Sequence, residues 1–281
     1  MQKSIPRSCE MFHYELTIPH SGFGSESAES IDISVFSMPV LDSRMYVIRL
    51  DRELLIIDPN LWDETDTPAL KQLCDAADHA TVLVTHAHYD HIAGVNSLRE
   101  MIPVTLYTNE LCNIKIQDSH KNLAAYSMAL VMDKTEERQR YCEQYFDFDY
   151  GCTADEIYEG SLKLQFEIGS TSDDSVSNTS GTRNAAGSTA TSLYVRTIPT
   201  PGHSDCSQCI ELWHEHHLWA VFTGDSLVNG HDVITRFPSG SKKVFREITE
   251  PYLMKINDET TILPGHGDPA SYGELKEYGI I

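Results

Sequence analysis

The stretch Thr85-His86-Ala87-His88-Tyr89-Asp90-His91 puts three imidazoles and one carboxylate within residues 86–91. Side chains packed this closely on a tight loop can be aimed at one or two metal ions, because borderline divalent cations such as zinc accept both imidazole nitrogen and carboxylate oxygen. The preceding residues 81–85 read as a short buried strand, and residues 92–99 as the start of a helix, so the cluster sits on a strand-to-helix turn. Further along, Thr200-Pro201-Gly202-His203-Ser204, Phe222-Thr223-Gly224-Asp225-Ser226 and Leu263-Pro264-Gly265-His266-Gly267 each place one candidate ligand beside glycine after an apolar run. Together they supply what a two-metal centre still lacks.

Alternating apolar patterns at residues 31–38, 44–50 and 53–57 predict strands of a sheet meander, with a further short strand at 13–18. Residues 68–77 have helical spacing, with Leu70, Leu73 and Cys74 on one face. After a strand at 103–107, the chain from about 109 to 158 is polar and poor in breakers, with helical periodicity at 123–132 and 136–145, and predicts a helical insert. Strand signals resume at 162–168, 193–198, 208–213, 218–222 and 260–263. Strand groups separated by helices predict an α/β (α+β) protein in which two packed sheets carry helices outside, within one domain over 1–281. Residues 170–192 are rich in Ser, Thr, Asn and Gly and poor in apolar side chains that could offset ordering entropy, so a flexible surface loop is expected there.

The 281 residues carry 42 acidic against 21 basic side chains, a formal charge of −21. Such a surface argues against nucleic acid or anionic lipid as partner, since both are held by Lys and Arg neutralising phosphates. Small molecules are the expected partners. Seven cysteines scattered without disulfide-framework spacing, no apolar core of signal-peptide length near residue 1, and no apolar window long enough to span a membrane lead to the expectation of a cytoplasmic protein.

The four ligand fragments, in this order, resemble the metallo-β-lactamase superfamily, whose pattern is His-x-His-x-Asp-His followed by a lone His, a lone Asp and a final His. The resemblance spans about residues 40–268 and implies the four-layer αββα sandwich. Carried over position by position, it implies that His86, His88 and His203 hold one metal, that Asp90, His91 and His266 hold the second, and that Asp225 bridges both. Zinc is the expected ion, with iron or manganese as further fits. A metal-bound hydroxide is then the implied nucleophile, with Asp90 and Asp225 able to orient it as well as to ligate. No Gly-x-Ser-x-Gly elbow competes for that role.

Within the superfamily the chain is most similar to small glyoxalase-II-like hydrolases, through Asp118-Ser119-His120-Lys121-Asn122-Leu123-Ala124 and through Ile262-Leu263-Pro264-Gly265-His266-Gly267. This implies hydrolysis of a thioester of the hydroxyacylglutathione kind. Two departures stand against glutathione itself: the chain carries fifteen residues after His266 rather than a basic helical domain, and the family's Gly-Arg-Thr-Asp-Leu-Pro-Gly-Gly is here Val233-Ile234-Thr235-Arg236-Phe237-Pro238-Ser239-Gly240. A lactonase and a mononuclear iron dioxygenase acting on persulfides are the alternatives, ahead of a nuclease, a phosphodiesterase or a β-lactamase. His231 is a candidate for contact with substrate or for support behind the ligands. Tyr89, Tyr126 and Tyr145 read first as core or surface packing, with a pocket wall as the alternative for each, and the remaining histidines read as ordinary surface or core residues. Cys206-Ser207-Gln208-Cys209 has redox or zinc spacing, but one such pair alone reads as packing thiols.

Overall fold

A computed structural model describes residues 13–19, 30–132, 135–168 and 191–277. The loop expected at 170–192 therefore falls almost entirely outside the described residues. Seven strands form one sheet in sequence order: β1 (His13–Pro19), β2 (Ser30–Ser37), β3 (Arg44–Leu50), β4 (Glu53–Ile57), β5 (His79–Leu83), β6 (Val104–Asn109) and β7 (Glu156–Tyr158). Pairing is antiparallel from β1 to β4 and parallel from β4 to β7. Six strands form the second sheet: β8 (Lys163–Ile168), β9 (Thr191–Pro199), β10 (Gln208–His214), β11 (His217–Gly224), β12 (Thr261–Pro264) and β13 (Ala270–Ser271), in the order 13-12-11-10-9-8. Only β11 and β12 run parallel there.

Alternation along each strand builds the layers, because successive side chains leave opposite faces of a sheet. Tyr46 and Ile48 of β3, and Leu55 and Ile57 of β4, meet Ile210, Leu212, Ala220, Phe222 and Leu263 of the second sheet. Their neighbours Met45, Val47, Leu54 and Ile56 face outward against Leu70 and Cys74 of α1 (Thr67–Asp75) and Leu98 of α3 (Val95–Met101). On the far side, Cys209, Val221 and Ile262 pack with Leu253, Tyr272 and Leu275, the last two from α8 (Tyr272–Glu277). A sheet buried on both faces needs apolar residues at consecutive positions, which is why residues 54–57 form an unbroken apolar run. The result is the αββα sandwich.

Several elements differ from the sequence expectation. β5 ends at Leu83, two residues early, because the next backbone groups bond to side chains: Gln208 donates to the Val84 carbonyl, and Thr85 N–H donates to Asp58. The expected helical insert contains α4 (Glu110–Ile116), a 3-10 helix (Ala124–Leu130) and α5 (Glu136–Tyr145), but it closes on β7, which extends the first sheet beside β6. A three-residue strand is too short to show alternation. The helical stretch from Lys242 to Leu253 also lacks a simple periodic signature, since it is broken into α6 (Lys242–Val244), a π-helical turn (Phe245–Thr249) and α7 (Glu250–Leu253). Pro251, with no N–H to donate, follows directly on that widened turn. Among the described residues no helix is long and apolar enough to cross a membrane.

Candidate metal centre

Four chain segments reach the same end of the sandwich. Residues 84–88 leave β5 and enter α2 (Tyr89–Ile92), residues 200–207 join β9 to β10, and Asp225 and His266 follow the parallel strands β11 and β12. Glycine makes the last two approaches possible. A Cβ on Gly265 would stand 2.5 Å from Asp225 Oδ1 and 2.7 Å from His91 Cε1. Gly224, at φ +48°, would press a Cβ to 2.3 Å from Thr85 Oγ1. The sheets are tied together here as well, Arg44 N–H donating to the Gly265 carbonyl at 2.8 Å, while Ser43 Oγ anchors α2 by donating to the Asp90 carbonyl at 2.7 Å.

All seven side chains singled out in the sequence converge. His88 Nδ1 lies 3.0 Å from His86 Nε2 and 2.9 Å from His203 Nε2. His266 Nε2 and His91 Nε2 lie 3.3 and 3.6 Å from Asp90 Oδ2. Asp225 stands between the trios: its Oδ2 is 3.4 Å from His203 Nε2, and its Oδ1 is 3.3 Å from His91 Nε2 and 3.5 Å from His266 Nε2. Each trio keeps its donor atoms within 4.8 Å of one another.

The far nitrogens of four of these rings are already engaged. His203 Nδ1 bonds the Ile234 carbonyl at 2.7 Å, His266 Nδ1 the Leu41 carbonyl at 3.0 Å, His91 Nδ1 the Asp58 Oδ2 at 2.9 Å, and His86 Nδ1 the Thr85 Oγ1 at 3.0 Å. Such bonds fix each ring and turn its other nitrogen to the centre, as metal-binding histidines require. Asp58 is a functional residue that the sequence reading missed. Held at φ +53° between β4 and Pro59, it also accepts from Thr85 N–H and Oγ at 2.6 Å each. A carboxylate before proline at the end of an apolar strand reads as a turn, and nothing in the sequence ties it to His91.

The donor set fits divalent cations. His91 Nε2 and Asp225 Oδ1 are buried without a well-formed hydrogen bond although only 3.3 Å apart, and a cation between them would satisfy both. Burial pushes His86 well below the ordinary imidazole range and His88 down to about 3, and lowers His203 too, so this trio stays unprotonated and able to ligate. At the other trio, burial would lower His91 and His266, but the carboxylates of Asp90 and Asp225 override it and raise both. Burial works in the opposite direction on Asp90, yet its histidine neighbours hold it down to about 2, and those around Asp225 hold that carboxyl well below its usual range. The carboxylates thus favour positive charge at the second trio.

A cavity of about 220 Å³ opens onto the centre, lined by His88, Asp90, Asp225 and His266 together with Leu41, Tyr89, Leu123, Ser127, Leu130, His231, Ile234 and Phe237. The Phe237 ring meets His88 and His203 edge-on at centroid separations of 5.8 and 6.0 Å. His231 is exposed at the rim. Tyr126 and Tyr145 do not line the cavity; Tyr145 packs on Tyr141 instead, with centroids 4.5 Å apart. Cys206 and Cys209 do not pair with one another. The Cys206 thiol bonds Cys112 and Ser204, and Cys209 accepts from Thr200 at 3.5 Å in a different layer.

Residues 38–125 match the model of the metallo-beta-lactamase superfamily. Over 234 residues, covering 82% of this chain and 88% of the relative, the sequence is 24% identical to the probable metallo-hydrolase YqgX of Bacillus subtilis (strain 168). The fold is similar to that of the BLEG-1 B3 metallo-beta-lactamase, with a TM-score of 0.60 and 18% identity over 87% of this chain and 96% of the other. It is also similar to TTHA1623 in a di-iron-bound form, with a TM-score of 0.54 and 20% identity over 85% and 95% of the two chains.

Proposed function

We propose that the chain, whose residues 38–125 match the metallo-beta-lactamase superfamily model, is a member of that superfamily and a two-metal hydrolase acting on a small carbonyl substrate, a thioester in particular. The observation that carries the reading is Asp225, whose two carboxylate oxygens face separate donor trios. On this reading His86, His88 and His203 would hold one ion and Asp90, His91 and His266 the other, with Asp225 able to serve both. Two divalent cations so held acidify water towards neutrality and polarise a carbonyl oxygen. The probable metallo-hydrolase YqgX and the di-iron neighbour support the class and leave zinc and iron as the ions to distinguish.

The chain's own groups supply the rest. Asp58, Thr85 and the carbonyls of Leu41 and Ile234 fix the imidazoles before any ligand arrives, which lowers the reorganisation needed at the moment of reaction. Phe237, Leu123 and Leu41 shield the centre on its open side and shed water from a bound acyl group. His88 and Asp90 line the same cavity, so a carbonyl resting there lies against both trios.

Elemental analysis of purified protein, together with turnover of a thioester, a lactone and a bis-aryl phosphodiester side by side, tests the proposal. Two equivalents of metal with thioester cleavage lost on chelation are expected. One iron per chain with oxygen uptake would overturn it, as would phosphodiester cleavage without thioester cleavage.

A further inference from the structure

Two non-glycine residues with left-handed backbone flank the cavity: Val40 at φ +75°, beside the wall residue Leu41, and Leu123 at φ +71°, itself a wall residue. Such conformations cost roughly 1–3 kcal/mol each and persist where surrounding structure over-determines them, often at binding sites. The surroundings of Leu123 do so. Asn122, fully buried, donates from Nδ2 to the Tyr150 carbonyl at 2.9 Å and accepts at Oδ1 from Ala124 N–H at 2.9 Å, while its own carbonyl accepts from Tyr89 N–H at 2.7 Å. The tight turn swings the Leu123 side chain, 7% exposed, into the cavity that Tyr89 and Asp90 also line.

The lining has a charge pattern too. It contains no Lys or Arg, and its two carboxylates, Asp90 and Asp225, already face the histidines. Beyond the histidines, a carboxylate or phosphate on the substrate would find no basic side chain among the described lining residues. The rest of the lining is mostly apolar, with Leu41, Leu123, Leu130, Ile234 and Phe237 beside Tyr89, Ser127 and the rim residue His231, and the neighbouring Tyr126 is half exposed outside it. At about 30 Å³ per water-sized group, the 220 Å³ cavity holds a chain of roughly seven such groups.

We infer that the cavity selects an uncharged hydrocarbon acyl group of medium length, and that Leu123, held in its left-handed turn by Asn122, is a specificity-determining residue for acyl length. The inference rests on the metal-centre reading above, because the acyl carbonyl must lie against the two trios. A peptide-like thiol bearing carboxylates is then a poor fit on the acyl side.

Alkyl hydroxamates of two to ten carbons, titrated calorimetrically into zinc-loaded protein, read the cavity without requiring turnover, since the hydroxamate seats on metal and the tail samples the walls. Affinity should rise about fourfold per methylene and level off near eight carbons, and a terminal carboxylate on the tail should lower it at least tenfold. N-acetylcysteamine thioesters of the same lengths should show the same trend in kcat/KM. Leu123→Gly exchanges relief of backbone strain for loss of a buried leucine side chain, so its thermal midpoint should fall modestly while, in the folded variant, the rise per methylene shrinks to twofold or less. Leu130→Ala, at a partly exposed position, should shorten the plateau. A flat hydroxamate ladder, or tighter binding of the carboxylate-tailed compound, would overturn the inference. Cleavage of the acetyl thioester with a flat ladder removes the acyl selectivity and keeps the hydrolase; a rising ladder with no thioester cleaved supports the cavity assignment and removes the hydrolase.

Discussion

At the level of single residues, what could be read from the sequence was chemistry whose type and spacing are local. His86, His88, Asp90 and His91 are recognisable because four donors crowd one turn, and His203, Asp225 and His266 because each stands beside glycine after an apolar run. Asp58 is buried like most of them, yet its meaning exists only in space, 33 positions from the His91 ring that it touches. Asp58→Asn keeps the size of the side chain and removes its charge. Metal affinity at the Asp90, His91, His266 trio should fall about 10- to 100-fold, the usual cost of losing a group that orients a ligand, with the other trio less affected. Competition with a chromophoric chelator measures both ions; unchanged affinity would leave Asp58 a merely structural anchor. Gly265→Ala is the sharper test of close approach: a methyl 2.5 Å from Asp225 Oδ1 must displace the carboxylate, and elemental analysis should show loss of at least one ion from folded protein.

At the level of elements, strands with strong apolar runs were legible almost to the residue, as β3 and β4 show, whereas β7 and the helical run from Lys242 to Leu253 were not. The first is too short to carry a period, and the second is interrupted by a π turn and a proline that scramble it. The turn at Asn122 is an element-scale device as well, for one side-chain amide joins α4, the residues after α5 and the 3-10 helix. Asn122→Ala leaves the Tyr150 carbonyl and the Ala124 N–H unpaired in the interior, at about 1–3 kcal/mol for a buried unmet group. Denaturant unfolding should show at least that loss, and a smaller change would mean that water or a backbone shift replaces the amide. Cys206-Ser207-Gln208-Cys209 shows the limit of motif spacing: successive residues of a loop entering a strand send their thiols into different layers. The double variant Cys206→Ser, Cys209→Ser should therefore keep its full metal content, and loss of an ion from it would reinstate the pair as ligands.

Over the whole molecule, the acid surplus read from composition and the metal centre read from motifs belong to one electrostatic design. A net charge of −21 raises the local concentration of cations around the protein, and the centre then divides them by protonation. In the metal-free protein the trio of His86, His88 and His203 is unprotonated, because burial holds its pKa values low. His91 and His266, raised by Asp90 and Asp225 after overcoming burial, hold protons to higher pH than the first trio does, and a cation has to displace them. Metal binding at that second trio therefore releases protons and weakens as pH falls. On dialysis of loaded protein from about pH 8 to about pH 5, the ion of the second trio should leave first and the His86 trio should keep its own. The stability of the metal-free chain has the matching sign. Histidines with raised folded pKa values contribute stability that is fully present below the unfolded value of about 6.5 and is lost as pH rises through the folded one. The rise in thermal midpoint on adding metal should accordingly grow with pH, since the ion replaces protons that are no longer there. Midpoints of loaded and metal-free protein across that range decide the matter: a difference that is constant, or that shrinks as pH rises, would show that the second trio does not hold protons in place of a cation.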